Sequence, residues 1–296
     1  MPSQPGTASE PPRRLLPGRL ADYIVRAAKA AYYPIEGIWY FLRRPYFYPL
    51  FVGRLLPLSV ISLLVYFILF TFAFLPQLAF LLIFHGWKGA VVSATALVLG
   101  EGLIVIQGIF EGFFVDECRV DVFDATLIDK GHTDLVAPQR ILFFDAPNPV
   151  KMLGKPTTRA EYQPWSMVQI VELIFFLPLN LIPIVGTPAF IMITGARLGK
   201  LSHHRWFKLR GLDKKATKKE LSIRGWEYLW FGTVAMIFEL CPILNFFFLL
   251  TSTAGAALWV AKLEDRARVR VGRPITAEER VAQSAQEEPV YHDNLV

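Results

Sequence analysis

The stretch LLPLSVISLLVYFILFTFAFLPQLAFLLIF, residues 55–84, runs for thirty positions without one charged side chain. At ~1.5 Å of rise per residue it exceeds the ~20 residues that a hydrocarbon core requires, so it predicts a span with tilt or with a kink at Pro76. Immediately after it, His85-Gly86-Trp87-Lys88-Gly89 predicts a tight turn. A second apolar run follows from Ala90 to Phe110, interrupted only by Glu101. Residues 55–114 therefore predict a transmembrane helical hairpin. Within its second arm Ala96, Gly100, Gly108 and Gly112 recur at multiples of four, a stripe suited to close helix packing. The Gly108/Gly112 face offers a contact for a second copy of the chain.

The composition agrees with that reading. Of the 296 residues 53% are hydrophobic and 19% charged, against about 25% charged in soluble domains, and the mean hydropathy is +0.38. This excludes a disordered chain, a collagen, a coiled coil and a small disulfide scaffold. The net charge is +6, from 31 basic and 25 acidic residues. The basic residues flank apolar runs, as the retention of Lys and Arg on the cytosolic side demands, and no nucleic-acid partner is expected. Cys118 and Cys241 are the only cysteines, and Cys241 lies inside an apolar run, so no disulfide framework is implied. No cleavable leader is expected from the Pro- and Ser-rich beginning.

Outside the hairpin the chain divides by charge. Residues 1–17 read as a disordered head. From Gly18 to Ala31 the apolar Leu20, Tyr23, Ile24, Ala27 and Ala31 oppose Arg19, Asp22, Arg26 and Lys29, which predicts an amphipathic helix in the membrane interface. Trp39 to Pro49 mixes aromatics with arginines as a headgroup belt does, so 18–54 forms one interface segment. Residues 115–166 hold eight acidic and six basic side chains with five prolines. They predict a cytosolic loop that begins as a continuation of the second helix. Residues 167–196 and 229–261 are apolar again, and they are joined by a segment, 197–228, with ten Lys/Arg against three acids. Residues 263–296 read as a cytosolic, partly disordered tail.

The two late apolar runs echo each other. Pro183 precedes Gly195 by 12 positions, and Pro242 precedes Gly255 by 13. Pro178, Pro183 and Pro188 break the first run, and Pro242 breaks the second. Broken apolar segments in paired positions predict re-entrant hairpins. Charge placement favours them over full spans. With two hairpins, 30 of the 31 basic residues face the cytosol, together with Asp145, Lys214 and both termini, and Lys88 alone lies opposite. The fold class is thus an all-α integral membrane protein: two long transmembrane helices, two Pro-broken re-entrant hairpins and an N-terminal interface helix.

No motif of a nucleotide-binding, hydrolase or metalloprotease mechanism occurs, and no catalytic residue, metal or cofactor is predicted. His203-His204 read as interface residues of the basic segment. Glu101, Glu172 and Glu239 carry more content, because a charge inside an apolar run is costly. With Asn180 and Asn245, which suit the ends of broken helices, they form a candidate intramembrane polar site. They serve either a polar path or the tethering of helices by protonated or paired carboxylates. Arg205, Lys208, Arg210, Lys214, Lys215, Lys218 and Lys219 are the expected contacts with anionic headgroups.

The stretch from Gly232 through Glu239-Leu-Cys-Pro-Ile-Leu-Asn245 to Glu264 resembles the closing signature of the etoposide-induced/CysZ-like membrane proteins. Gly37 to Pro49 is similar to the entry segment of that superfamily, and Val122 to Leu127 to the motif after its second helix. Within the superfamily the chain looks most like the fungal lipid-droplet and outer-spore-wall branch. The resemblance implies a helical membrane fold with two long helices and two half-penetrating hairpins. It implies a non-enzymatic role in lipid or spore-wall organisation at the endoplasmic reticulum and lipid droplets. The bacterial branch implies sulfate uptake instead, but here the charges inside the apolar runs are all acidic, which argues against an anion path. A small-solute channel or transporter is the second expectation, and an integral-membrane enzyme acting on lipid the third.

Overall fold

The computed structural model describes residues 16–112, 115–156, 185–241 and 244–270, with positions 175, 179 and 182 between them. The described chain is mostly helical. Helix α1 (Leu16–Leu42) leads through a short 3-10 turn, Pro45–Phe47, into α2 (Tyr48–Phe72) and α3 (Phe74–Gly112). The path bends by 53° between Leu56–Phe72 and Phe74–Phe84. Pro76 explains the position of the bend. It has no N–H to give the carbonyl of Phe72, so the first helix ends there rather than at the proline itself. The chain then reverses at Gly86, whose φ of 63° and ψ of 173° suit glycine. Leu81 closes on Ala90 and Ala94 across this reversal. Nearer the base, the Tyr66 hydroxyl donates to the Leu99 carbonyl at 3.2 Å and its ring lies over Gly102. Gly102, not a member of the predicted stripe, takes the close approach of α2, and Gly100 meets Phe190. The surroundings of Gly108 and Gly112 lie outside the described residues.

The outward faces of this hairpin are apolar: Leu56, Phe67, Phe72, Leu75, Ile83 and Trp87 are all exposed. Among the described residues two helices are long and apolar enough to cross a membrane, Gly86–Ile106 and Asn245–Val269, and the bent pair would make a third. They differ in setting. The protein covers 44% of the first window and 78% of the second.

The segment expected as a cytosolic loop is folded through residue 156. Helix α4 (Val115–Asp129) has Val120, Val122, Phe123, Ala125 and Leu127 fully buried. Its first turn carries Asp116 and Glu117, favourable at the positive end of the helix dipole. A short α5 (Thr133–Val136) follows, then β1 (Arg140–Leu142), α6 (Pro149–Met152) and β2 (Leu153–Pro156). The strands pair antiparallel, Leu142 opposite Leu153. Prolines do forbid long helices here, but only from Pro138 onward. The charges of α4 find partners on distant segments, which composition cannot reveal.

The remaining helices are α7 (Gly186–Ser202), α8 (His204–Leu209), α9 (Lys214–Ile223), α10 (Gly225–Glu239) and α11 (Asn245–Arg270). Helices α7 and α10 cross at backbone distance, because a Cβ on Gly232 would stand 1.8 Å from the Gly195 carbonyl and one on Gly199 would stand 2.0 Å from that of Tyr228. Helix α11 lies between α1, α4 and α10, and Gly37 of α1 meets the backbone of Thr251 and Gly255. Both echo glycines, Gly195 and Gly255, are therefore close-packing positions. The run 229–261 breaks around Pro242 as expected, but into helices of 15 and 26 residues rather than equal limbs. Pro188 interrupts nothing, since it stands in the first turn of α7, where a missing N–H costs no bond. Pro178 and Pro183 lie outside the described residues.

Two further segments take their course from packing. Helix α1 packs through Ala27, Ala30, Tyr33, Gly37 and Phe41, while Tyr23 and Ile24 stay exposed. Tyr23 and Ile24, on the apolar face expected to meet the membrane interface, stand away from this packed face. Helix α11 runs on past residue 263, where the partly disordered tail is expected to begin, as far as Arg270, with Glu264 and Arg268 pairing with Arg210 and Asp134.

Gly232→Ala forces a methyl group into a neighbouring backbone and should cost about 3 kcal/mol, the upper end for overpacking. Gly225, with open space around it, should accept Ala nearly neutrally. Unfolding titrations in mixed micelles check both.

Candidate functional site

The break between α10 and α11 brings together two of the predicted polar residues. Glu239 ends α10 and is 1% exposed, while Asn245 begins α11 and is fully buried. The Asn245 Nδ2 donates to the Glu239 carbonyl at 2.6 Å, so the asparagine does cap a broken helix end. The Glu239 Oε2, the Asn245 Oδ1 and the Ser252 Oγ are buried without a hydrogen-bond partner among the described residues. Asn245 and Ser252 are seven apart, on one face of α11. A cation serves this seam from outside the apolar runs: the charge of Arg119 on α4 acts on Glu239, and its Nε donates to Thr253 Oγ1 at 3.4 Å. Glu101 is engaged elsewhere, accepting from Gln77 Nε2 at 2.8 and 3.0 Å. Glu172 and Asn180 lie outside the described residues.

The predicted headgroup contacts separate into two groups. Arg205 is a correction: it is 1% exposed, and its Nε and Nη2 hold the two oxygens of Asp124 at 3.0 and 2.7 Å. Arg140 of β1 adds a bond to the same carboxylate at 3.2 Å, one to Asp121 at 2.6 Å and one to the Gly154 carbonyl at 2.7 Å. A planar guanidinium can satisfy a carboxylate with two parallel bonds, and leaving one partner of a buried pair unmatched costs about 3–5 kcal/mol. Arg205 is therefore a fold-determining residue. Arg210 is also engaged, pairing with Glu264 at 2.9 Å, which accepts from the Trp206 indole at 2.6 Å as well. Lys208 is half-buried. Lys214, Lys215, Lys218 and Lys219 are exposed along α9, whose first turn Asp213 caps by accepting from the Ala216 N–H at 2.7 Å. Ile223 and Trp226 lie exposed just beyond them.

His203 is likewise no interface residue. It is fully buried, its Nδ1 lies 2.8 Å from the Tyr228 hydroxyl, and its ring sits 4.5 Å from that of Trp259. Burial, with the nearby charge of Arg224, pushes its pKa down to about 3, so the imidazole stays neutral. Among the described residues no group of three or more His, Cys, Asp or Glu could hold a metal.

One polar cluster escaped the sequence reading altogether. Asp129, the last residue of α4, accepts from the Tyr40 hydroxyl at 2.7 Å, from Arg44 at 2.9 Å and from the Tyr46 hydroxyl at 2.9 Å. The aromatic belt thus clasps α4 as well as facing outward. The available signal was the charge pattern itself, since Asp121, Asp124 and Asp129 are interleaved with Val120, Val122, Phe123, Ala125, Leu127 and Ile128.

Comparison with protein-family models, with curated proteins and with solved structures finds no match for this chain. What the described residues offer is a half-satisfied polar seam at a helix break, a fully paired internal ion network and a basic outer helix.

Partial burial raises the Asp129 carboxyl, but the hydrogen bonds from Tyr40, Arg44 and Tyr46 and the Arg44 charge outweigh this and hold it below the usual range. A depressed carboxyl adds stability that is present above its unfolded pKa of about 3.9 and is lost as the pH falls through the lower folded value. Asp129→Asn should cost about 1–3 kcal/mol at pH 7, and the difference from wild type should shrink progressively below about pH 4. Paired unfolding titrations at the two pH values check this. A difference independent of pH would contradict it.

Proposed function

We propose that the chain is a non-enzymatic, multi-pass membrane protein of the endoplasmic reticulum and the lipid-droplet surface, acting in lipid or spore-wall organisation. The observation that carries this reading is the hairpin of α2 and α3. It is apolar outside, bent by 53°, and turns at Gly86 with only Lys88 charged in the distal loop. Such a hairpin has almost no polar domain to strand in lipid at its far end, so it suits a bilayer and a droplet monolayer alike.

The other elements fit a one-sided arrangement, with both termini in the cytosol. Helices α10 and α11 run antiparallel, with Tyr228 against Trp259 and Phe238 against Phe248. Their charged ends meet neighbours at one end, through Arg26–Glu227 and Arg210–Glu264. At the other end Val185, Ile237 and Leu244 are exposed, and Met236 and Leu240 pack beside Leu103, well inside α3. An apolar tip opposite a charged base is what a re-entrant hairpin requires. Helix α9 then lies on the headgroups, where each lysine contributes about 1 kcal/mol toward anionic lipid and Ile223 and Trp226 supply apolar anchors.

A small-solute path is the second reading. The unpartnered oxygens of Glu239, Asn245 and Ser252 favour it, and solute flux in reconstituted vesicles separates it from the organising role, which needs none.

A fluorescent fusion in lipid-loaded cells tests the leading reading. The wild type should mark the endoplasmic reticulum and rings around droplets. The K214Q/K215Q/K218Q/K219Q variant should lose most of the ring signal at unchanged abundance. Confinement to mitochondria or the cell surface would overturn the proposal.

A further inference from the structure

We propose that a groove on the outer side of α1 binds the phosphocholine headgroup of a membrane phospholipid; this rests on the membrane reading above. The groove has a volume of about 390 Å³ and is lined by Tyr32, Glu36, Trp39, Tyr40, Arg43 and Arg44. Tyr32, Glu36, Trp39 and Arg43 are spaced i, i+4, i+7 and i+11, so they form one face of the helix. The volume lies within the range of small-ligand sites.

The partners within the groove determine what it can take. Arg44 is committed to Asp129 at 2.9 Å, and its guanidinium lies 3.8 Å from the centre of the Tyr40 ring. Glu36 holds Lys262 through both oxygens at 3.2 Å. Arg43 has no carboxylate partner among the described residues; it is exposed, 5.9 Å from the Trp39 ring. Trp39 and Tyr32 are 58% and 54% exposed, so much of each ring is open to a ligand, with the Arg43 guanidinium over one side of the Trp39 ring. The groove therefore presents one cation without a carboxylate partner among the described residues and, one to three turns along the helix, two largely exposed aromatic rings with a carboxylate between them. The first recognises a phosphate. The second recognises a quaternary ammonium, which is drawn to ring faces and needs no hydrogen-bond acceptor. A ligand carrying both, a short chain apart, is the headgroup of a phosphocholine lipid. A simple anionic headgroup would leave the aromatic half empty.

Depth supports a lipid as the source. Arg43 precedes α2 by five residues, and the uncharged stretch begins at Leu55, about 10 Å along that helix from Tyr48. A headgroup layer occupies about 5–8 Å on each side of the hydrocarbon core, so Trp39 and Arg43, just before α2, stand at its outer edge, beyond the reach of acyl chains and where a headgroup's polar end extends.

The test uses the full chain purified in a maltoside detergent and titrated with diheptanoylphosphatidylcholine, with bound lipid counted by native mass spectrometry. Wild type should retain one lipid at the lowest concentrations. Trp39→Ala and Arg43→Gln should each weaken retention about tenfold, Trp39→Phe should largely keep it, and Phe143→Ala, at an aromatic exposed elsewhere, should change nothing. Diheptanoylphosphatidylglycerol should bind at least tenfold more weakly, and free glycerophosphocholine more weakly still. Equal retention of the glycerol lipid, tighter binding of the free headgroup, or undiminished binding by both Trp39→Ala and Arg43→Gln would overturn the site. Failure here with droplet and reticulum localisation intact overturns this inference alone, and mislocalisation with phosphocholine binding intact overturns the functional reading alone.

Discussion

Asp124 is withdrawn from water on α4, and two arginines from different segments meet it: Arg205 at 2.7 and 3.0 Å and Arg140 at 3.2 Å. A carboxylate this deep is tolerable only when paired and hydrogen-bonded, so α4 cannot settle against α11 until α8 and β1 are in place. The network joins a segment at residue 124 to one at 205, across the region that holds the first proline-broken run. It also places Arg119, on the same helix, beside the Glu239 seam. The order of the interior follows from satisfying these charges.

A second constraint is backbone proximity. Gly195, Gly199 and Gly232 let α7 and α10 touch, and Gly37 and Gly255 do the same for α1 and α11. Small residues at helix crossings serve where lipid supplies no hydrophobic drive between helices. The hairpin of α2 and α3 uses the opposite logic, with large apolar side chains turned outward. The molecule thus combines an inward-packed helical cluster, rich in buried polar atoms, with an arm that presents hydrocarbon to its surroundings. Helix α11 shows the difference most clearly: apolar enough to span, yet mostly covered by protein.

Much of this was legible in the residues. The uncharged run 55–84, the reversal at Gly86 and the break around Pro242 all follow from composition and from the chemistry of glycine and proline. The bend shifted to residue 73 because a proline frees the carbonyl four residues earlier, not its own. Helix α4 was not legible as a core element. Its charges read as solvated until Arg140, Arg205, Tyr40 and Arg44 arrive from elsewhere in the chain, and no local pattern announces such partners. For the same reason Arg205, inside a basic segment, read as a headgroup contact, while the lysines of α9 kept the predicted exposure. Of the candidate polar site, Glu239 and Asn245 meet at the break, and Glu101 is occupied by Gln77 one layer away.

The central claim is that residues 115–129 belong to the packed interior and not to an open loop. Cys118, fully buried with its thiol directed at the Leu50 carbonyl 3.3 Å away, reports on this directly. With Cys241→Ser it becomes the only thiol of the chain, and a water-soluble maleimide can time its exposure in native micelles against the same protein in denaturant. The account predicts labelling roughly 100-fold slower in the native state, equivalent to an opening free energy of about 3 kcal/mol. Labelling at equal rates in both conditions would contradict it.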